Sequence, residues 1–234
     1  MIKLSVNVNK IATLRNSRGN NVPNLELVTQ SIINFGADGI TIHPRPDQRH
    51  IRHEDVVMLA DVVKPKVEFN IEGYPSDEFI KLVVQTKPTQ VTLVPDSPNV
   101  LTSLQGWDTI KKRSILHDVI QEFKSHSIRS SLFVHPNIKM IEGASNVGAD
   151  RIELFTGIYA HSDKKINLYI ESSREANKMG LGVNAGHDLN LKNLSLFIDK
   201  VPFLDEVSIG HALISESLFL GLENTINMYK RILE

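Results

Sequence analysis

The sequence predicts an α/β protein built as an eight-stranded parallel barrel, a (β/α)8 fold, with residues 1–234 forming one catalytic domain. Two observations predict it. Short apolar runs alternate with segments of helical period from one end of the chain to the other, and eight such runs can be counted. A length of 234 residues with 41% hydrophobic content also suits a single core of that size.

The runs that read as strands are residues 4–8, 39–43, 67–71, 90–94, 131–134, 151–154, 182–185 and 206–209. Between them apolar residues recur every three or four positions, as in Leu25, Val28, Ile32 and Phe35, or Val56, Leu59, Ala60 and Val63, which is the stripe of a helix lying on a sheet. Asn24 and Ser76 stand where helices need N-caps, and Gly36, Gly148 and Gly180 where helices should stop. Gly36-Ala37-Asp38 before the second strand is echoed by Gly148-Ala149-Asp150 before the sixth. The echo fits two half-barrels; it is equally a favourable helix-to-strand turn in any α/β protein. The longest stretches without period, 9–23 and 95–108, both follow strands and are expected as irregular loops on the carboxyl face of the barrel.

Composition excludes several function classes. The formal net charge is −1 with both signs mixed along the chain, so no electrostatic footprint for nucleic acid or an anionic membrane is present. The chain has no cysteine, which rules out disulfides, thiolate metal sites and a cysteine nucleophile. Residues 1–9 alternate apolar and polar with no signal-peptide core, and no apolar run approaches a membrane span, so a soluble, cytoplasmic protein is expected.

Strand alternation sorts the remaining candidates by face. Val6, Val8, Ile40, Ile42, Phe69, Ile71, Ile152 and Leu154 should pack against the helices, leaving Asn7, Asn9, Thr41, His43, Asn70, Glu72 and Glu153 on the opposite face. Barrel interiors are normally filled by branched apolar side chains, so so many polar groups suggest a wet pocket at the top. After the second strand, residues 43–53 carry His43, Arg45, Arg49, His50, Arg52 and His53, a set suited to holding phosphate and moving protons, although such a run is also what a solvated loop looks like. Arg15 and Arg18 could converge on the same mouth. After strands seven and eight come Gly186-His187-Asp188 and Gly210-His211, the second expected to open a short helix; glycines and a helix start at that end of a barrel suit a phosphate, or simply turn the chain. Two anion sites imply two phosphorylated substrates or one bisphosphate, with His43, Glu72, Glu153 and His187 as acids and bases between them.

The segments 6–19 (Val6-Asn7-Val8-Asn9-Lys10 through Arg18-Gly19), 36–43, 183–187 and 209–212 resemble the signatures of the pyridoxine 5′-phosphate synthase family, in the same order along nearly the whole chain. The resemblance implies condensation of 1-deoxy-D-xylulose 5-phosphate with 3-amino-2-oxopropyl phosphate to pyridoxine 5′-phosphate, inorganic phosphate and water, with no metal or organic cofactor, by a homo-oligomer, an octamer in the family. It implies His43 and Glu72 as proton acceptors, His187 as a proton donor and Glu153 as stabiliser of a charged intermediate. Arg45, His50, Thr102, Asn9 and Lys10 would hold the deoxyxylulose phosphate; Asn7, Arg18, the position of Asp188, Gly210 and His211 would hold the aminoketone phosphate. Two departures stand out. Asn9-Lys10 occupies the place of Asp-His in many members, exchanging a titratable imidazole for a lasting positive charge. Asp188 occupies the place of a glycine, where only a backbone contact to phosphate would be compatible with its charge. Read from residues alone, a metal-dependent sugar-phosphate epimerase or aldolase, with His43, Glu72, Glu153 and His187 as ligands, and a non-catalytic phosphosugar-binding protein stay open.

Overall fold

Eight strands, β1 (Lys3–Asn7), β2 (Gly39–Ile42), β3 (Glu68–Gly73), β4 (Gln90–Leu93), β5 (Arg129–Val134), β6 (Arg151–Phe155), β7 (Gly182–Gly186) and β8 (Leu204–Ile209), close into a barrel in sequence order. Every neighbouring pair is parallel, including β1 with β8. The computed structural model describes residues 1–96 and 102–234; the part of the expected irregular stretch at 97–101 lies outside the described residues.

The helices are α1 (Asn9–Asn16), α2 (Leu25–Asn34), α3 (His53–Val63), α4 (Asp77–Thr86), α5 (Arg113–Ser125), α6 (Ile138–Asn146), α7 (Gly157–His161), α8 (Ile166–Lys178), α9 (Leu194–Lys200), α10 (His211–Leu220) and α11 (Leu222–Leu233). The expected punctuation is in place. The Asn24 side chain accepts the Leu27 N–H at 3.0 Å and Ser76 accepts that of Phe79 at 3.2 Å. Gly36, Gly148 and Gly180 turn left-handed, with φ of 104°, 86° and 75°, just past α2, α6 and α8. One expectation fails: the stretch 9–23 is not irregular throughout, because α1 occupies its first half. Ile11, Ala12 and Arg15 form the buried stripe of this helix. One stripe residue is an arginine, which hid the helical period.

The outward residues behave as the alternation requires. Val6, Ile40, Ile42, Phe69, Ile71, Ile152 and Leu154 are fully buried between sheet and helices, each worth about 1.5–3 kcal/mol in removed apolar surface. Inside, the lower barrel is polar but bonded to itself. Ser5 and Thr41 hydroxyls meet at 2.7 Å, Asn70 donates to Thr41 at 3.2 Å, and Thr92 donates to Asn70 at 3.0 Å. At the amino end Glu68 is paired with both Lys3 and Arg129, while Arg151 donates to Asn184 at 2.9 Å. Thr41 and Asn70, expected to face a wet pocket, therefore spend their polar atoms on each other. Apart from the buried Ser131 hydroxyl, which has no hydrogen-bond partner among the described residues, the free polar groups begin one layer higher, at the carboxyl ends of the strands.

Candidate active site

His43 follows the last residue of β2, and Glu72 lies near the end of β3, so neighbouring strands deliver both side chains to the mouth. The His43 Nδ1 lies 3.6 Å from a Glu72 carboxylate oxygen. Burial disfavours the charged form of both. It drives the His43 imidazole down to about 3, helped by the Arg45 and Arg49 charges, and raises the Glu72 carboxyl to about 7 against the pull of Arg45 and His187. A neutral imidazole beside a carboxyl that titrates near neutrality is an arrangement that can pass a proton in either direction.

Glu153 projects from β6 into the same space and is 3% exposed. Desolvation, then the charges of Glu72 and Glu206, hold its carboxyl well above the usual range. Its Oε2 has no hydrogen-bond partner among the described residues. Gly186 makes this position possible. A Cβ on that strand residue would fall 2.2 Å from the Glu153 Oε1, so the absent side chain gives room to a carboxyl. In sequence this glycine suits backbone contact with an anion or a turn of the chain; the space beside it is filled by Glu153.

Loop two, residues 43–52 between β2 and α3, is built around Arg45. Its Nη2 donates to the Asp96 Oδ2 at 2.8 Å, and the Ser103 hydroxyl donates to the same oxygen at 2.5 Å. His50 is buried, its Nδ1 accepts the Ile51 N–H at 2.9 Å, and burial followed by the charges of His43, Arg45, Arg49 and Lys10 lowers it to about 3. The neutral ring thus carries its proton on Nε2, a donor suited to an anion. The Asn9 side chain accepts the His43 N–H at 3.0 Å, and the Asn7 side chain accepts the Asn9 N–H at 3.0 Å, tying the β1–α1 junction to loop two. Arg15 does not join the mouth. It is buried in a two-pronged ion pair with Asp55, at 2.5 and 2.8 Å, and also donates to the His50 carbonyl. Its role is to anchor loop two. Arg18 stands exposed just past the end of α1, and Lys10 is exposed in its first turn.

On the opposite side of the mouth, the His187 Nε2 lies 2.9 Å from the Thr102 hydroxyl and its Nδ1 lies 3.0 Å from the Asp188 carboxylate. The ring meets Phe155 edge-on at 5.1 Å. Gly210 immediately precedes α10, which begins at His211 as expected, and a Cβ on Gly210 would fall 3.0 Å from the Asn7 Cβ. Asn7, Gly210 and the start of α10 therefore sit together across the β1–β8 seam.

Several residues at this site escaped the sequence reading. Asp96 and Ser103 hold Arg45, and Phe155 belongs with Val94 and Phe133 to an apolar cluster of its own, separate from the main core. His135, at the end of β5, packs its ring against Phe155 at 5.4 Å; its inward parity with Ser131 and Phe133 was the available signal. A cavity of about 400 Å³ opens beside His43 and Arg45, bounded by Tyr74, Phe79, Leu82 and Asp96. Among the described residues, no group of three or more His, Cys, Asp or Glu side chains is arranged to hold a metal ion. No described helix is long and apolar enough to cross a membrane.

The family model described as pyridoxal phosphate biosynthesis protein PdxJ matches residues 4–234. The chain is 56% identical over 239 aligned positions to the pyridoxine 5′-phosphate synthase of Christiangramia forsetii, and 55% identical over 239 to that of Flavobacterium johnsoniae, with 100% of each chain covered in both cases. Among solved structures it resembles phosphoribosylanthranilate isomerase from Thermotoga maritima, with a TM-score of 0.65 and 16% identity over 99% of this chain and 98% of the other. That likeness is one of fold.

Proposed function

Because this chain belongs to the family of the pyridoxal phosphate biosynthesis protein PdxJ and is an enzyme of the pyridoxine 5′-phosphate synthase type, we propose that its barrel mouth joins 1-deoxy-D-xylulose 5-phosphate to 3-amino-2-oxopropyl phosphate. The products are pyridoxine 5′-phosphate, inorganic phosphate and water. The observation that carries the assignment of roles is the His43–Glu72 contact at 3.6 Å, with burial disfavouring the charged form of both groups.

The amine of one substrate attacks the ketone of the other, the carbinolamine loses water to give an imine, phosphate departs, and successive enolisations and dehydration close the aromatic ring. Each of these steps moves a proton. Glu72, with its carboxyl near 7, takes protons, and neutral His43 beside it accepts or relays them. His187 on the facing wall returns protons to departing oxygens, and Glu153, whose carboxyl burial holds well above the usual range, stabilises the charged intermediate.

Arg45, His50, Thr102, Asn9 and Lys10 are the groups assigned to the deoxyxylulose phosphate; Asn7, Arg18, the Asp188 backbone, Gly210 and His211 are assigned to the aminoketone phosphate. All chemistry is assigned to side chains, without metal or organic cofactor. The barrel acts as one domain in the cytoplasm and as a homo-oligomer. Exposed Leu218 and Phe219 on α10, and exposed Leu14 on α1, which packs beside α10, support self-association.

The test is direct. Purified protein given both ketone phosphates and a chelator should form pyridoxine 5′-phosphate. Folded protein that makes none at near-neutral pH, or that makes it only after a divalent metal is restored, would overturn the assignment.

A further inference from the structure

His187 is followed by a residue whose placement is costly unless it has a task. Both His187 and Asp188 are in the left-handed region, with φ of 84° and 59°, where glycine is free of steric penalty and most side chains are not. The turn is clamped there from two sides. The Asp188 carbonyl accepts the side-chain amides of Asn190 and Asn193 at 3.3 and 3.1 Å, and the Thr156 hydroxyl bonds the carbonyls of Gly186 and His187. In this conformation the Asp188 carboxylate turns back to the His187 ring and meets Nδ1 at 3.0 Å.

The ionisation of Asp188 decides which way that hydrogen bond runs. The bond from His187 holds the carboxyl below its usual range against partial burial, and the charges of His187, His161 and His211 add to the effect. An ionised carboxylate only accepts, so the proton of the bond sits on Nδ1. In the neutral ring Nε2 is then the bare nitrogen, and it accepts the Thr102 hydroxyl at 2.9 Å. Phe155 packs edge-on against the same ring at 5.1 Å. Nε2 is thereby the one ring atom left to exchange a proton with a substrate.

We propose that Asp188 is a positioning residue for His187: it accepts the Nδ1–H, fixes the tautomer and the direction of the ring, and leaves Nε2 as the proton-exchanging atom. The inference rests on the reading of His187 as a proton-transfer residue. When Nε2 takes a proton from a substrate C–H or O–H, the ring becomes a cation beside the Asp188 anion; when Nε2 gives the proton to a departing oxygen, the neutral ring with Nδ1–H is restored. Charge and proton both balance over the cycle. An anion committed to the imidazole in this way also explains how an acidic residue is tolerated in a loop assigned to phosphate, since its contact with the substrate can be through the backbone alone.

The experiment compares Asp188→Ala, Asp188→Asn and Asp188→Gly with the native enzyme, measuring kcat, the KM of each ketone phosphate, thermal stability, and the histidine tautomer by 15N NMR of histidine-labelled protein. Asp188→Ala and Asp188→Gly should lower kcat on the order of 10- to 100-fold with both KM values changed by less than about threefold, and should turn the fixed Nδ1–H signal of His187 into a tautomer mixture. Asp188→Asn keeps an amide oxygen able to accept from Nδ1 but loses the charge that faces the imidazolium, so its kcat should lie between those of Asp188→Ala and the native enzyme. Asp188→Gly suits the left-handed backbone, so it should melt no lower than the native enzyme, which separates loss of positioning from loss of fold. The inference is overturned if Asp188→Ala keeps kcat within about twofold, leaves the tautomer unchanged, or acts chiefly on one KM. His187→Asn serves as the reference: if it too keeps kcat, the reading of His187 itself has failed, whereas a large loss there with Asp188→Ala unaffected sinks only the proposal for Asp188.

Discussion

The Nδ1 of His43 and a carboxylate oxygen of Glu72 face each other at 3.6 Å across the β2–β3 seam, one immediately beyond its strand and the other within its last turn of pleat. In water a histidine and a glutamate at that distance would form a charged pair near neutral pH. Here burial disfavours both charges, so the resting state below neutrality is an uncharged imidazole beside a protonated or readily protonated carboxyl. Removing one partner changes the environment of the other, and the two are expected to fail as a unit.

Arg45 is held by Asp96 at 2.8 Å. Arg45→Ala should raise the KM for deoxyxylulose phosphate by at least about tenfold and that for the aminoketone phosphate far less, with a smaller loss in kcat. Asp96→Asn should give the same selectivity in milder form, because the guanidinium remains but loses its charged support. Steady-state kinetics with each substrate varied in turn checks both. Equal weakening of the two substrates would misplace Arg45 within the mouth.

Gly186→Ala puts a methyl 2.2 Å from the Glu153 Oε1 in a strand whose backbone accepts alanine. The Glu153 side chain must move, and kcat should fall on the order of 100-fold while the barrel stays folded by circular dichroism. A double-mutant cycle with Glu153→Gln is the check: the glycine substitution should add little once the carboxylic acid is gone.

Glu206 concerns stability, not rate. Desolvation, then the charge of Glu68, push its carboxyl up from 4.5 to about 7. A carboxyl with a raised folded-state pKa binds its proton more tightly when folded, so this stability is fully present below about 4.5 and is lost as the pH climbs through 7. Glu206→Gln keeps an acceptor for the Asn184 amide, 3.3 Å away, and removes the titration. In urea titrations the variant should gain on the native protein between pH 5 and pH 8 by on the order of 1–3 kcal/mol. Parallel curves would mean that the group is already ionised in the folded state.

What was legible in the sequence was whatever depends on period. All eight strands appear where alternating or continuous apolar runs place them, with ends displaced by no more than two residues, and His43, Glu72 and Glu153 fall on the inner face because parity puts them there. Helix α1 was illegible because an arginine takes a core position, and Arg15 could not be told from Arg18 until its partner Asp55, 40 residues away, was in view. The Arg45–Asp96 pair spans 51 residues and two strands, a separation no local pattern reports. Gly186 has a use that the sequence does not show. A glycine advertises backbone freedom in sequence, whereas this one is needed for the space its missing side chain leaves to Glu153, which only the neighbouring strand reveals.

The central claim, that Glu72 is the proton acceptor of a buried pair with His43, is tested most directly by the pH dependence of kcat/KM in the native enzyme and in Glu72→Gln. A base must be ionised to act, so native kcat/KM, which reports groups of the free enzyme, should rise with pH through an apparent pKa of about 7, while His43, at about 3, contributes no step above pH 5. Glu72→Gln should bind both substrates nearly as before, lose on the order of 10²–10⁴ in kcat, and show no such rise. A variant that retains the rise near 7, or that alters KM while sparing kcat, would contradict the account.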